Sequence, residues 1–413
     1  MLTKNIQTTV AIIGAGPSGA VSAALLRKKG YDVTILERQT FPRFSIGESL
    51  LPQCMEFLEK ADMLDVIANE PTFQHKNGAA FSNNRLDATI DFREKFSAGH
   101  GTTYQVRRDK FDKILADKAE SLGANIHYQT SVVAIDEQDD FIEITAKNNI
   151  TNDTYTVKAD FLLDASGFGR VLPRLLDLET PSDFPVRQAF FGHFEDNITE
   201  PSFDRDKILI SVHPEKPDVW YWLIPFADGV SSVGVVAKEE RFEEHNGDNA
   251  QTLQMLIDEM PYLAKVLENA KPINEAQNIK GYSANVKKLH GKRYALLGNA
   301  AEFLDPVFSS GVTIAVKSAD LAVNALDKQL QGKNVDWDAE FAEPLKKGVD
   351  TFRTFVTAWY DGRLQDVIFY QNSQPKIKSM ISSILAGYAW DEENPFVANS
   401  EKRLNTLAEL CKN

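Results

Sequence analysis

The sequence predicts an α/β fold with three parts: a nucleotide domain, an inserted antiparallel β-sheet domain and a helical C-terminal region. A glycine-rich turn near the start lies between an apolar run and an Ala- and Leu-rich segment. Aromatic and β-branched residues dominate Phe190–Ala237, and helical periodicity extends from Trp337 onwards. The predicted boundaries are 1–70, 100–184 and 275–335 for the nucleotide domain, 71–99 and 185–274 for the sheet domain, and 336–413 for the helical region.

Composition excludes several classes of protein. The chain has 413 residues and a net charge of −14, which argues against a nucleic-acid partner because phosphate binding requires clustered Lys and Arg. Two distant cysteines, Cys54 and Cys411, indicate neither a disulfide framework nor a metal site. No targeting segment is evident, and no apolar run approaches the roughly 18 residues of a membrane span. We therefore expect a cytoplasmic protein without an integral membrane segment.

The first elements are predicted to be a strand, a helix and a strand. Val10–Ile13 is a continuous apolar run, which is typical of a parallel strand covered on both faces. Ser18–Lys29 is rich in Ala and Leu and is followed by Gly30, a residue that commonly ends helices. Val33–Leu36 is the second apolar run. The spacing predicts a β-α-β unit.

The later elements alternate between this sheet and the inserted one. Short alternating runs within Asn69–His100 indicate small strands outside the first sheet. The other predicted elements are helix Lys110–Leu122, strand Asn125–Tyr128, a hairpin across Phe141–Val157, strand Phe161–Leu163, strand Tyr294–Leu297 and helix Thr313–Leu326.

A glycine motif, Gly14-x-Gly16-x-x-Gly19, lies between the first strand and the first helix. Gly14 permits a tight turn, Gly16 lets a pyrophosphate approach the backbone, and Gly19 allows close helix–strand packing. Glu37 closes the next strand, where a carboxylate accepts hydrogen bonds from ribose hydroxyls. The unpaired N–H groups at the start of the helix face the phosphates. The motif predicts a Rossmann-like domain that binds an adenine dinucleotide.

Two later segments distinguish between dinucleotides. Asp164-Ala165-Ser166-Gly167 follows a mid-chain strand, and Gly298-Asn299-Ala300-Ala301 follows the last one. Together with the glycine motif, they resemble the hydroxybenzoate-hydroxylase-like superfamily of FAD monooxygenases, and the resemblance implies FAD as the cofactor. That family usually has Asp where Asn299 stands, so a polar contact remains but a charge is lost. No second Gly-x-Gly-x-x-Gly occurs, so we expect no dedicated NAD(P)H domain.

Within that superfamily, five segments over most of residues 9–326 are similar to the flavin-dependent halogenases of phenol and pyrrole rings. They are Phe41-Pro42-Arg43-Phe44-x-Ile46-Gly47-Glu48-Ser49-Leu50-Leu51-Pro52, Lys76-x-Gly78-Ala79-x-Phe81, Gln105-Val106-x-Arg108-x-x-Phe111-Asp112, Trp220-x-Trp222-x-Ile224-Pro225 and Asp305-Pro306-Val307-Phe308-Ser309-Ser310-Gly311-Val312. In that family, reduced flavin and oxygen convert halide into hypohalous acid. The resemblance implies halogenation of an electron-rich aromatic substrate.

Lys76 is the predicted catalytic residue. In the family, a lysine at the end of a tunnel holds or captures the hypohalous acid beside the substrate. A lysine suits this task because its ammonium donates hydrogen bonds and its pKa shifts readily on burial. The alternative is a solvated surface lysine, and the position of Lys76 inside a matched motif favours the catalytic role.

The Trp220–Pro225 segment is predicted to be a strand with Trp220, Trp222 and Ile224 on one face. Packing between the sheet and the flavin domain accounts for part of this pattern. The resemblance implies in addition that Trp220, Trp222, Ile224 and Pro225 line the tunnel. Val219 stands where the family commonly has glycine. Isoprenoid reductases carry a related pattern with Tyr as the first aromatic, so this segment alone does not separate the two activities.

Ser309-Ser310-Gly311 opens a predicted helix, where serine capping and a flavin or halide site are compatible. Phe308 replaces a glutamate of the tryptophan halogenases, which argues against free tryptophan as substrate. Arg43, Arg108 and Gln105 are predicted to contact flavin, although each is also compatible with a surface role. The complete predicted cofactor set is Gly14, Ala15, Gly16, Pro17, Ser18, Gly19, Glu37, Arg38, Arg43, Gln105, Arg108, Val133, Asp164, Gly167, Gly298, Asn299, Ser310, Gly311 and Val312.

The leading hypothesis is an FAD-dependent halogenase that uses halide and oxygen. The resemblance implies a separate flavin reductase as the source of reduced FAD, and an aromatic substrate that is free or attached to a carrier protein. The alternatives are a flavin hydroxylase, a reductase or dehydrogenase of the isoprenoid-reductase kind, and a flavin-binding protein without catalysis. Halide dependence separates the first from the others.

Overall fold

The computed structural model describes residues 5–84, 87–245 and 247–412. Extended segments are distributed along the chain up to Leu296, as the alternating and apolar runs predict. The strands are β1 (Asn5–Ile13), β2 (Val33–Leu36), β3 (Gln74–Lys76), β4 (Gly78–Ser82), β5 (Asp87–Asp91), β6 (Thr103–Gln105), β7 (Asn125–His127), β8 (Thr130–Glu137), β9 (Ile142–Asn148), β10 (Thr154–Asp164), β11 (Glu179–Thr180), β12 (Arg187–Glu195), β13 (Lys207–Val212), β14 (Trp220–Pro225), β15 (Val230–Lys238), β16 (Lys271–Pro272), β17 (Gln277–Lys280), β18 (Asn285–Val286) and β19 (Tyr294–Leu296).

Helices occupy the beginning of the nucleotide domain and most of the chain after Gly311. The α-helices are α1 (Pro17–Lys28), α2 (Gln53–Lys60), α3 (Leu64–Ala68), α4 (Arg108–Ser121), α5 (Val171–Leu175), α6 (Asn249–Asp258), α7 (Pro261–Val266), α8 (Gly311–Leu330), α9 (Glu343–Tyr360), α10 (Arg363–Phe369), α11 (Pro375–Leu385), α12 (Pro395–Ala398) and α13 (Ser400–Cys411). No helix of the described ranges is both long and apolar enough to cross a membrane.

The first sheet has the strand order β7-β2-β1-β10-β9-β8, with β19 also paired to β10. Its centre is parallel, and Ile12 of β1 is in register with Ile35 of β2 and Leu163 of β10. These residues are fully buried, as the continuous apolar runs predict. The predicted hairpin and the predicted strand at Phe161–Leu163 share one long strand, because β10 pairs antiparallel with β9 first and parallel with β19 further along.

The second sheet is built from the inserted segments, in the order β16-β12-β15-β14-β13-β4-β5, with β17 paired to β12. Its pairs are antiparallel except β13–β4. Strand β14 is buried on both faces: Trp220, Trp222 and Ile224 belong to the core shared with the nucleotide domain, whereas Tyr221 and Leu223 pack against α6 and α7. The sheet therefore presents one aromatic face to the nucleotide domain.

The helical C-terminal region is anchored to both other parts. Trp359 of α9 is fully buried, and its ring contacts Phe81 of the second sheet and Phe308, at 5.9 and 5.7 Å between ring centroids. Aromatic pairs at such distances stabilise a fold by more than the burial of their surface area alone. Helix α9 thereby closes the fold over the segment that precedes α8.

The predicted capping role of serine at the start of α8 is wrong. Ser310 occupies the N-cap position, but its side chain makes no capping hydrogen bond. Its backbone has helical angles (φ −74°, ψ −17°), whereas a capping serine has extended angles that bring its hydroxyl to the next turn. The first N–H groups of α8 are therefore not capped by this side chain.

Candidate functional site

A cavity of about 690 Å³ lies between the two sheets. On one side it is lined by Ile13, Leu36 and Ala165, which stand at or just after the carboxyl ends of parallel strands. On the other side it is lined by Phe191 and Trp222 of the second sheet. Ligands of open α/β sheets bind outside the carboxyl ends of the strands, so this cavity is the candidate site.

The glycine turn has the geometry that the motif predicts. Gly14 has a φ of +92°, and a Cβ there would lie 2.7 Å from the carbonyl oxygen of Ala165. A Cβ on Gly19 would lie 2.0 Å from the Gly14 carbonyl oxygen, so only glycine allows α1 to start this close to β1. At Gly16 a Cβ would meet only side-chain atoms, at 3.5 Å or more. Gly16 therefore exposes backbone to the cavity, as phosphate contact requires.

Glu37 stabilises the glycine turn through hydrogen bonds and faces the cavity. Its Oε2 accepts a 2.8 Å hydrogen bond from the amide of Ala15, and its Oε1 accepts a 2.9 Å bond from the amide of Gln39. The side chain is 5 % exposed and lines the cavity. A carboxylate has about four acceptor positions, so Glu37 retains capacity for ribose hydroxyls.

Two arginines meet at the buried carboxylate of Asp112. Arg108 donates to both oxygens of Asp112, at 2.8 and 3.1 Å, and to the carbonyl oxygen of Ile46 at 2.7 Å. Arg43 Nη1 lies 3.3 Å from Asp112, and its buried Nε has no hydrogen-bond partner. Both arginines line the cavity. Asp112 thus holds two cations at the wall of the cavity, where the charge of Arg43 favours a phosphate, and the buried Nε of Arg43 lies 4.0 Å from Glu37 Oε1.

The mid-chain segment has a structural anchor and a cavity face. Asp164 is fully buried and accepts from the amides of Ser166 and Leu172 at 2.9 and 2.7 Å, and its burial raises the pKa of this carboxyl. It shapes the following loop without lining the cavity, whereas Gly167 does line it. Gly298 has a φ of +51° and brings Asn299 to the cavity.

The aromatic face of β14 forms the far wall. Trp220 and Trp222 are nearly inaccessible, with ring centroids 5.9 Å apart. The Trp220 indole donates a 2.7 Å hydrogen bond to the Tyr360 hydroxyl, and the Trp222 indole donates to Ser232 Oγ at 3.1 Å. With both polar tips satisfied, the rings are fixed in place. Ile224 shares this wall, whereas Pro225 does not line the cavity.

Lys76 lies beside the cavity, behind the 48–50 segment. Its Nζ donates to Ser49 Oγ at 2.7 Å and to the Leu50 carbonyl oxygen at 2.8 Å, and it lies 5.5 Å from the ring centroid of Phe92. The residue is 1 % exposed, and this burial lowers the pKa of Lys76 to about 7. A surface role is therefore wrong for Lys76, and Ser49 separates its amine from the cavity.

The structure brings most of the predicted site residues together. Those that line the cavity are Gly14, Gly16, Pro17, Ser18, Glu37, Arg38, Arg43, Arg108, Gly167, Asn299, Ser310, Gly311, Val312, Trp220, Trp222 and Ile224. Those that do not are Ala15, Gly19, Lys76, Gln105, Val133, Asp164, Pro225 and Gly298.

Gln105 and Val133 were predicted to contact the cofactor, but neither of them lines the cavity. Gln105 is fully buried and its Nε2 bonds the Arg205 carbonyl oxygen at 3.4 Å, so it belongs to the support below the cavity. Val133 is 42 % exposed, and its neighbours Ser131 and Val132 line the cavity instead. A register irregularity between Val132 and Ala134 interrupts the alternation of faces, and a motif does not reveal such a shift.

Residues that were not assigned also form the walls. Phe44 lies 6.1 Å from Phe191 in a stacked pair, and both line the cavity. Glu48 contributes a carboxylate to the same wall and pairs with His193. Glu48 stands in a segment that resembles the halogenases, and this resemblance was a signal that could have identified it. Phe191 and His193 lie in a strand without a distinguishing pattern.

The residues that line the cavity have the chemistry and the spacing to hold FAD. The turn at Gly16 leaves room for a pyrophosphate, Glu37 faces the ribose position, and Arg43 places a positive charge at the cavity wall. Gly311 and Val312 at the start of α8 offer N–H groups to flavin oxygens, and a helix start favours negative charge by about 0.3–1 kcal/mol. Bound FAD supplies electron transfer to oxygen or to an organic substrate. Among the described residues, no cluster of metal-ligating side chains occurs.

Comparison with known proteins identifies the family. The family model for the FAD binding domain matches residues 7–340. A solved structure from Cytophaga hutchinsonii, described as a flavoprotein/dehydrogenase, is 41 % identical with a TM-score of 0.94, and covers 98 % of each chain.

Two further relatives are halogenases. The 1H-pyrrole-2-carbonyl-[peptidyl-carrier protein] chlorinase of Pseudomonas fluorescens is 29 % identical over 97 % of this chain and 92 % of its own length. The myxobacterial chondrochloren halogenase is 25 % identical, with a TM-score of 0.76, covering 98 % of this chain and 97 % of that one. The α/β fold with a Rossmann-like FAD domain is confirmed. The chain belongs to the FAD binding domain family, and it is an FAD-dependent oxidoreductase related to the flavin-dependent halogenases.

Proposed function

We propose that this enzyme halogenates an electron-rich aromatic substrate, using reduced FAD, oxygen and halide. The observation that carries the proposal is the placement of Lys76. A lysine amine is fully buried behind the cavity wall, 2.7 Å from Ser49, and it belongs to a segment that resembles the one carrying the catalytic lysine of the halogenases. Burial is costly for a charged amine, so a lysine kept there supports a functional role.

The aromatic wall supports the same chemistry. We infer that the wall of Trp220, Trp222 and Ile224, which line the cavity from the second sheet, keeps an organic substrate apart from the flavin. Both indoles are locked by hydrogen bonds, so a large substrate does not pass them, whereas a small species such as hypohalous acid requires little space. This separation favours halogenation over direct hydroxylation, in which the substrate must reach the flavin itself.

The substrate and the partners follow from the relatives. The Pseudomonas relative acts on a pyrrole attached to a carrier protein, and we extend the aromatic class to this chain. Phe308, in the segment before α8, packs against Trp359 and provides no carboxylate for an amino group. A single glycine motif supports a separate flavin reductase as the source of reduced FAD.

A reductase or dehydrogenase is the second candidate. The 41 % identical structure from Cytophaga hutchinsonii is described as a flavoprotein/dehydrogenase, and this likeness spans nearly the whole chain. In that case the flavin would exchange a hydride with a substrate in the cavity and would not need halide.

A single experiment separates the two candidates. Anaerobically reduced holoenzyme is mixed with oxygenated buffer, with and without bromide, and the oxidised flavin absorbance is followed. A cyclic 1,3-diketone in the buffer captures hypobromous acid. Halogenation predicts bromination of the trap in step with flavin reoxidation. Reoxidation without brominated trap at any bromide concentration contradicts the proposal, and rapid anaerobic reduction by NADPH would then favour the dehydrogenase. Heat-released free FAD, treated in the same way, is the control.

A further inference from the structure

A carboxylate and an imidazole are paired in the wall of the cavity. Oε1 of Glu48 lies 2.7 Å from Nε2 of His193, and the two residues are 4 % and 8 % exposed. Glu48 lines the cavity, whereas His193 lies behind it. Neither Glu48 nor His193 is among the residues assigned to FAD binding.

The histidine is held in one orientation. Its ring contacts Phe44 and Phe226 edge-on, at 6.0 and 5.8 Å between centroids. Its Nδ1 lies 3.2 Å from the amide nitrogen of Asn274, whose Oδ1 accepts a 2.9 Å bond from the backbone amide of His193. This second bond fixes the Asn274 amide with its NH₂ toward the ring. This orientation makes Nδ1 the acceptor and directs a hydrogen on Nε2 toward Glu48.

The pair connects the cavity to the outside of the protein. Asn274 is exposed, and together with Gly192 and Phe194 it lines a second cavity of about 520 Å³ on the other side of β12. Glu48, His193 and Asn274 thus form a continuous polar line from the flavin cavity to solvent.

Flavin chemistry with oxygen consumes protons. Anionic reduced flavin, FADH⁻, reacts with oxygen and one proton to give oxidised FAD and hydrogen peroxide. Halogenation consumes two protons: FADH⁻, oxygen, halide, the aromatic C–H and two protons give FAD, the halogenated aromatic and two waters. Glu48 and His193 form their pair at the wall of the cavity in which these protons are consumed.

We propose that Glu48 and His193 deliver the proton that flavin reoxidation consumes. Nδ1 of His193 takes up a proton from the solvent side at Asn274, Nε2–H passes its proton to Oε1 of Glu48, and the protonated Glu48 gives a proton to the cavity, which leaves the carboxylate and an imidazole with its proton on Nδ1. The inference rests on FAD binding, and it holds with or without halogenation because reoxidation by oxygen alone consumes a proton.

The test follows the flavin without halide or aromatic substrate. Reduced holoenzyme is mixed with oxygen in weakly buffered solution, and flavin absorbance and a pH indicator are recorded together. We expect Glu48→Gln and His193→Gln to slow reoxidation and proton uptake by about 100-fold, the range for loss of a positioned proton donor. Added imidazole should restore the rate of His193→Gln. His245→Gln is the matched control, because His245 forms a similar pair with Glu259 at 2.6 Å, outside both walls of the cavity.

Wild-type rates in both cavity variants, or a slow His193→Gln that imidazole does not restore, would overturn the proposal. If either variant fails to hold FAD, Asn274→Leu replaces it, since an exposed position tolerates substitution. That variant should slow proton uptake several-fold, and an unchanged rate counts against the relay. Because no halide is present, a failure of the relay is distinguishable from a failure of halogenation, which is measured separately by the 1,3-diketone trap.

Discussion

Lys76 and Ser49 join two segments that are distant in sequence, through a 2.7 Å hydrogen bond from Nζ to Oγ. The bond lies at the back of the cavity wall, where Glu48 and Ser49 face the flavin side and Lys76 is withdrawn from solvent. The amine therefore contacts Ser49 and the backbone of Leu50, and these residues lie between it and the cavity. This relationship makes Lys76 testable in two independent ways.

The first prediction concerns stability. The pKa of Lys76 falls from an ordinary 10.5 to about 7 through burial, so between these values the unfolded chain binds a proton that the folded protein does not. The free energy of unfolding of the wild type should rise relative to Lys76→Met by about 1.4 kcal/mol per pH unit between pH 7.5 and 9.5. Urea denaturation across this range measures it. Lys28→Met, at the surface, is the control, and a pH-independent difference for Lys76→Met would refute the assignment.

The second prediction concerns catalysis. Lys76→Met should lower bromination of an aromatic substrate by at least about 100-fold, whereas bromination of the 1,3-diketone trap should persist because hypobromous acid forms before the step that uses the lysine. FAD affinity should remain within about twofold, because Lys76 does not line the cavity. Lys317→Met is the matched control, since Lys317 is also largely buried and lies over the rings of Phe57 and Trp390. Equal loss in both variants would show that removal of any buried lysine disturbs the enzyme.

The third prediction separates two glycines of the same motif. Gly19→Ala places a Cβ 2.0 Å from the Gly14 carbonyl oxygen, so α1 must move and stability should fall by about 3 kcal/mol. Gly16→Ala meets nothing closer than 3.5 Å, so its stability should stay near that of the wild type. Its FAD affinity should fall at least tenfold, about 1.4 kcal/mol, because the methyl group points into the phosphate position. Thermal unfolding of the apoprotein and flavin fluorescence titration measure the two effects. If Gly16→Ala binds FAD normally, the pyrophosphate lies elsewhere.

The fourth prediction links the C-terminal region to the cavity wall. Tyr360→Phe removes the acceptor of the Trp220 indole and leaves a buried N–H unpaired, which should cost about 1–2 kcal/mol of unfolding free energy. FAD affinity should not change, because Tyr360 does not line the cavity. Tyr128→Phe, which loses an exposed 3.4 Å bond to Glu120, is the control and should be nearly neutral. A neutral Tyr360→Phe would mean that the indole finds another partner.

The glycine turn and the central strands were predictable because local chemistry determines them. Gly14, Gly16 and Gly19 each answer a local steric demand, and the run at Val10–Ile13 is apolar because both of its faces are covered. The aromatic face of β14 was predictable for the same reason, since alternation follows from strand geometry. Serine capping at Ser310 was wrong because it depends on backbone angles that composition does not reveal.

Pairings across long sequence distances were not predictable. Glu48 belongs to one of the segments that resemble the halogenases, yet its partner His193 lies 145 residues away in a strand without a motif. Burial of Gln105 below the cavity and the outward position of Val133 depend equally on how the two sheets meet.

By itself, the sequence determined the nucleotide turn, the FAD-type segments and the two-sheet organisation, and it singled out Lys76 as the predicted catalytic residue. Each of these rests on short-range sterics, on side-chain periodicity or on a motif whose residues act together. Only the tertiary structure decided that Ser49 stands between Lys76 and the cavity, and that Glu48 and His193 continue to solvent at Asn274. The physical reason is that burial and hydrogen-bond pairing are set by the packing of the sheets, which brings together side chains that no local pattern connects.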